Sequence, residues 1–308
     1  MRYRDHAKAA LKRAHAVEAG AGNTPYGYAA IARTYFELDG WSPSNDKGMS
    51  YLRKALSLRN SNGGWGLGRE FDAFSDGSIN PATTSYTVTA GDHLGPVLIL
   101  AHKHGLIGEE ELSRTVTSLL STPVATMNDL DEKCISYSTS DHDTPSPHNG
   151  KCVNNVNASA GWLLIAAADA GVEHPRQRDL AKSLLAYDWS QRTVDGGWPY
   201  FANGTTHQDL DHNALNVEVH HRVGTPGSHH AIKAALRKRH GKHPMDRMSY
   251  LRLVAVAPET CKTAEEHAAW MRNNIDESIA PEPTPTKTLR WSQLAMYTAR
   301  AANACSSR

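Results

Sequence analysis

Apolar residues along this chain recur mainly at spacings of three and four, the period of a helix with one buried face. The spacing predicts about twelve helices, over residues 4–19, 26–38, 46–59, 84–104, 109–121, 154–171, 175–188, 210–223, 227–240, 245–256, 263–275 and 288–304. Strand patterns are weak, with no series of alternating runs joined by hairpin turns. Gly20, Gly105, Gly171, Gly224 and Gly241 stand where helices should stop, and Pro175 and Pro226 sit at or just before helix starts. The stretch APEPTPTK, Ala280 to Lys287, is not expected to be helical. It is also too short to act as an interdomain linker, so residues 1–308 read as a single domain.

The helices alternate in character. Odd-numbered segments such as EEELSRTVTSLL and HHAIKAALRKRH are amphipathic, and even-numbered ones such as NASAGWLLIAAADAG are small and apolar. Helices that are apolar all round belong inside, and half-polar ones outside. Six helical hairpins arranged so make an all-α fold, an α/α toroid with inner and outer rings. Connections after even segments are short (GLIG, GVEH, GTPG), and those after odd segments are long, at 60–83, 122–153, 189–209 and 276–287. Long loops gathered on one rim, feeding the N-termini of inner helices, are where a site is expected.

Two of those loops carry the same unit. NSNGGWG (from Asn60) and DGGWPYF (from Asp195) each follow a helix with Gly-Gly-Trp and then a polar run. The glycines make a tight turn, and the indole either closes a gap between hairpins or walls a binding cleft. Trp65, Trp198 and Tyr200 are therefore candidate substrate-stacking residues. On the toroid, the starts of the inner helices bring further residues together: Tyr86, Asn154, Asn155, Asp209, Asp211, His212, Asp246, Arg290 and Trp291. In HQDLDHNAL an aspartate can cap the helix, and His212 can act as a base or acid beside a carboxylate. The loop CISYSTSDHDTPSPHNGKC adds Tyr137. Its Asp141, His142, Asp143 and His148 admit a divalent cation, although no helix fixes their spacing and no metal site is assigned. Asn157 and Asn203 head glycosylation sequons.

Composition narrows the class. The net charge is +1 with histidine neutral, which points neither to nucleic acid nor to a disordered acidic chain. No apolar run approaches the roughly 20 residues of a membrane span. Seventeen histidines would make the chain strongly cationic below about pH 6.5. Cys134 and Cys152 bracket one loop, and Cys261 and Cys305 bracket the C-terminal region. Two local disulfides suit this order and imply an exported protein, although four cysteines allow three pairings and a cytosolic chain with free thiols is the alternative.

The Gly-Gly-Trp layout resembles that of squalene and terpene cyclases and prenyltransferase β subunits. That resemblance would make DLDE (from Asp129) or DLDH (from Asp209) an acidic motif, or Asp131 or Glu132 with Cys134 a portion of a zinc set. The order NGGWG, SINPATT, GGWPYF, LDHNALNV is more closely similar to one family of α/α pectate lyases, over about 45 residues in two blocks. The sequence departs from that family at Asn80 and His212, where the family has aspartates.

The resemblance implies an enzyme acting on an acidic polysaccharide or oligosaccharide, a lyase or epimerase that abstracts the C5 proton of a uronate. Such chemistry needs the carboxylate neutralised, a base and an acid. Arg290, Asn154 and Asn155 suit the first role, His212 (with Asp211 beside it) the second, and Tyr86 or Tyr137 the third. Trp65, Trp198, Tyr200, Asp209, His207 and Trp291 would hold the substrate. No organic cofactor is expected, and the protein reads as a monomer. Alternatives are an isoprenoid cyclase, an inverting glycosidase pairing Asp209 or Asp211 with Glu70 or Asp72, and a toroid that only binds.

Overall fold

A computed structural model describes residues 2–70, 72, 79–139, 151–204, 210–237, 244–274, 276 and 284–306. The chain is mostly helical, as the periodicity predicts. Its helices are α1 (Arg2–Ala21), α2 (Pro25–Asp39), α3 (Asp46–Ser57), α4 (Gly95–Lys103), α5 (Glu109–Ser121), α6 (Asn154–Asp169), α7 (Gln177–Ser190), α8 (Leu210–Arg222), α9 (Ser228–Arg237), α10 (Pro244–Leu253), α11 (Cys261–Asn274) and α12 (Pro285–Ser306). Among the described residues, none is long and apolar enough to cross a membrane.

Local chemistry explains the boundaries. Thr24 caps α2 by accepting from the Gly27 amide at 3.0 Å, with Pro25 in the first turn. Gly40 ends the same helix at φ +99°, its amide bonded to the Phe36 carbonyl. At α12 the structure corrects the sequence reading. The helix takes in Pro285, Thr286 and Lys287 as its first turn, because a proline at the first helical position has no amide to leave unbonded.

The chain resolves into two compact units. The first comprises residues 1–57, 209–218 and 229–308, and the second residues 58–208 and 219–228. The sequence suggests one domain, and the two units interleave along the chain with no linker at which to divide them. In the first unit, α12 packs along α1 and α2, joining the two ends of the chain. Its core is built from Leu11, Ile31, Met248, Leu251, Met271 and Trp291 among others. In the second unit, α6 packs on α7, α5 and α4.

Burial alternates as the composition predicts. α2, α6 and α12 are covered on nearly every face, whereas α3 and α5 bury one stripe. The disulfides are Cys134–Cys152 in the second unit and Cys261–Cys305 in the first, the local pairing that the cysteine order suggests. Two disulfides suit an oxidising compartment.

Two elements escape the periodicity. A hairpin of β1 (Val124–Thr126) and β2 (Lys133–Ile135) leads to the first disulfide. Its turn is organised by Asn128, whose Oδ1 accepts from the amides of Leu130 and Glu132. A π-helical turn, Thr89–Leu94, precedes α4.

Candidate functional site

The two Gly-Gly-Trp units fold alike. In the first, the Asn60 amide donates to the Gly64 carbonyl at 2.8 Å and the Gly63 amide to the Asn60 carbonyl at 3.0 Å. In the second, Thr193 and Gly197 bond at 2.8 Å, and Gly196 and Thr193 at 2.9 Å. Asn62 and Asp195 hold the same place, each accepting the amide two residues on. Gly63 and Gly196 lie at φ +89° and +85°, where a side chain would be strained. A Cβ on Gly63 would also come within 2.4 Å of the Arg114 carbonyl.

Both indoles end fully buried. Trp65 lies under the Arg59 guanidinium at 4.4 Å. Trp198 stacks on His220 and donates Nε1–H to the Asp188 carbonyl at 2.8 Å. Neither ring has a face open to a sugar, so the expected substrate-stacking role of Trp65 and Trp198 gives way to packing.

The run after Trp65 meets the disulfide loop, and that loop meets the residues just after Trp198. Within the second unit, short bridges stitch three loops together: Tyr86 to Ser138, Cys134 to Cys152 and Val153 to Phe201. The Thr87 amide bonds to the Tyr137 carbonyl, and the Asn154 amide to that of Tyr200. Tyr86, Tyr137 and Tyr200, which lie far apart in sequence, become one cluster. The rings of Tyr86 and Tyr137 meet edge to face, 5.8 Å between centroids, and Tyr137 hydrogen-bonds to Tyr200. Burial, then the nearby Tyr200 and Tyr86, push the Tyr137 hydroxyl well above the ordinary phenol range.

Asn154 opens α6 beside the cluster, its Nδ2 donating to the Pro199 carbonyl at 2.8 Å. Asn155 is also buried. Asn157 is bonded through both ends of its amide to the backbone of Ile135, Lys133 and Leu184. That role, with full burial, removes it as a glycosylation acceptor. Asn203 is exposed.

Asp211, His212, Asp246, Arg290 and Trp291 belong to the first unit. Asp211 and His212 head α8, half-buried, and Asp211 accepts from the Ser249 hydroxyl at 3.1 Å. Arg290 donates to the Gln293 side chain at 3.0 Å. Trp291 is a core residue whose Nε1–H bonds to Asp276 at 2.9 Å, so it too packs rather than presenting a face. His207 and Asp209 lie outside the described residues, as do Asp141, His142, Asp143 and His148. Glu70 is exposed. Cys134 is held in a disulfide and cannot serve as a zinc thiolate.

Asp276 gives a pH prediction. Burial works against its charge, but bonds from Trp291, Arg13 and Lys287 outweigh it and hold the carboxyl below its ordinary value. A lowered folded pKa contributes stability above the unfolded value of about 3.9, which is lost as pH falls through the folded value. Chemical denaturation between about pH 5 and pH 2 should therefore show an acid loss for the wild type that Asp276→Asn partly flattens. An unchanged acid limb in the variant counts against this account.

Two features lie beyond motif reasoning. Asp188 on α7 and His220 at the end of α8 form a fully buried pair in the second unit, Oδ2 to Nε2 2.7 Å, with Thr225 on the other ring nitrogen at 3.0 Å. Burial raises the Asp188 carboxyl above its ordinary value, against the pull of His220. Nothing in the sequence names this partner for His220, 32 residues away.

The π-helical turn carries Asp92 and His93, half-buried, with Oδ2 and Nε2 3.8 Å apart. Such turns are rare and often mark functional sites, and the adjacent Asp-His between Gly91 and Gly95 was the available signal. In comparison with known proteins, no family model matches this chain and no curated protein is similar to it in sequence.

Proposed function

We propose that the protein is an exported carbohydrate-active enzyme on an α/α toroid, a lyase or epimerase that takes the C5 proton of a uronate in an acidic glycan. The Tyr86–Tyr137–Tyr200 cluster at the start of α6 carries this reading. Elimination from a uronate needs a group that delivers a proton to the departing oxygen at neutral pH. A phenol is protonated at neutral pH and so can serve as the acid, and the burial that pushes the Tyr137 hydroxyl up disfavours the tyrosinate that a base would need. The amide of Asn155 is an uncharged donor fit to polarise a carboxylate, whereas Asn154, fully buried with its Nδ2 on Pro199, positions the loop. The base belongs to another residue. His212, singled out by its sequence setting, is tested by its own replacement with alanine, and full turnover would remove it.

The experiment is a screen of purified protein on polyuronides, following the absorbance of unsaturated product for a lyase and C5 hydrogen exchange with heavy water for an epimerase. Tyr137→Phe should lower kcat by about a hundredfold with KM little changed, the usual worth of a positioned acid. Inertness of the wild type toward every polyuronide on both readouts overturns the reading.

A further inference from the structure

A second constellation belongs to the first unit, where α1, α2 and α3 line an open hollow of about 440 Å³ formed by His15, Glu18, Ala19, Tyr35, Lys47 and Tyr51. His15 Nε2 is 2.9 Å from the Tyr35 hydroxyl, and Nδ1 is 3.0 Å from that of Tyr51. The Tyr51 hydroxyl is also 3.1 Å from Glu18 Oε2. Burial opposes the charge on Glu18, but bonds from His15 and Tyr51 and the charge of Lys54 outweigh it and hold the carboxyl below its ordinary value. An ionised carboxylate only accepts, so the Tyr51 hydroxyl donates to Glu18. His15 Nδ1 lies between the Tyr51 hydroxyl and, at 3.5 Å, Glu18 Oε2. These contacts make a hydrogen-bonded relay of Tyr35, His15, Tyr51 and Glu18.

The walls and charges of the cavity indicate what it would take. The rings of Tyr35 and Tyr51 lie 25° from parallel with centroids 6.2 Å apart, and the His15 ring is likewise 25° from Tyr35 at 5.9 Å. Glu18 is paired with Lys54 at 3.6 Å, and Lys54 rests on the Tyr51 ring at 4.4 Å. Lys47 is exposed, hangs over the Tyr35 ring at 5.7 Å and has no ion pair among the described residues. An external cation finds both of these ring faces already carrying ammonium groups, and a doubly charged phosphate finds only one uncommitted cation. A polyhydroxylated ring bearing one carboxylate matches the phenol hydroxyls, the Glu18 carboxylate and the Lys47 ammonium.

We propose that this cavity is a second, non-catalytic saccharide site that holds one uronate ring, its carboxylate on Lys47 and its hydroxyls on Tyr35 and Glu18. The choice of uronate rests on the acidic-glycan reading above; the cavity and relay do not. The test titrates the full chain, with isotope-labelled histidine, with an oligogalacturonide and with a neutral oligosaccharide of equal length. The acidic oligomer should shift the His15 ring signals, and the neutral one should bind more weakly. Lys47→Ala should weaken binding there about fivefold, and Tyr51→Phe about tenfold. Tyr137→Phe should bind at this cavity as the wild type does while losing turnover.

Unmoved His15 signals, equal binding of the neutral oligomer, or wild-type affinity in both cavity variants overturns the proposal. A His15 shift without turnover of any polyuronide supports the cavity and sinks the catalytic reading. Turnover with His15 unmoved does the reverse.

Discussion

Replacing Glu218 with alanine is expected to destabilise the first unit by on the order of 4 kcal/mol, lowering its unfolding midpoint by about 10 °C. Glu218 sits between two buried arginines, with Arg252 Nε on Oε2 at 2.6 Å and Arg300 Nη2 on Oε1 at 2.5 Å. All three are less than one-tenth exposed. Burial disfavours the charge on Arg300, and the Glu218 carboxylate more than restores it. An arginine cannot escape by losing its proton, so removing the carboxylate leaves like charges facing each other out of water. Arg252 keeps the Tyr297 hydroxyl at 3.3 Å, a neutral acceptor that does not replace an anion. Thermal unfolding followed by circular dichroism measures the loss. The double variant Glu218→Ala with Arg300→Met should recover some of it, because one of the two uncompensated cations is removed. A midpoint within about 2 °C of the wild type in the single variant would show that the triad is solvated rather than buried.

Trp198→Ala is the second large effect, on the order of 4 kcal/mol. The indole is fully buried, so its truncation leaves a cavity. Its Nε1–H satisfies the Asp188 carbonyl, and its ring lies nearly parallel to His220, 6° apart with centroids at 5.7 Å. Truncation strips the carbonyl of its donor and opens the Asp188–His220 pair to repacking. Trp198→Phe separates the two contributions, since it keeps an apolar ring and loses only the donor, for about 1–2 kcal/mol. Denaturant unfolding of both variants checks the order, and a Trp198→Phe loss equal to that of Trp198→Ala would mean that the cavity costs nothing beyond the lost hydrogen bond.

Much of this molecule is legible from spacing. The helices fall within a few residues of their expected positions because an amphipathic stripe is a local property, written in residues three and four apart. The alternation of burial along α2, α3, α5 and α6 follows composition in the same way. The glycines at 63 and 196 foretell a turn because no other residue adopts that backbone without strain. The hairpin escapes sequence reasoning because its strands are three residues each, too short for alternation to register. The π-helical turn escapes it because one inserted residue shifts a helical pattern without erasing it.

By itself, the sequence determined that this chain is helical, where most of its helices lie to within a few residues, and which cysteines stand near enough along it to pair locally. Each is a choice among neighbours in the chain, and short-range periodicity, capping and turn chemistry suffice for it. Only the tertiary structure decided which polar groups meet: Glu218 with Arg252 and Arg300, Asp188 with His220, the phenols of Tyr86, Tyr137 and Tyr200, and the relay from Tyr35 to Glu18. It also decided that Trp65 and Trp198 are plugs. A buried charge or ring needs a partner, but the need does not name one. The partner is chosen when helices far apart in sequence pack and bring one of many equivalent side chains within bonding distance.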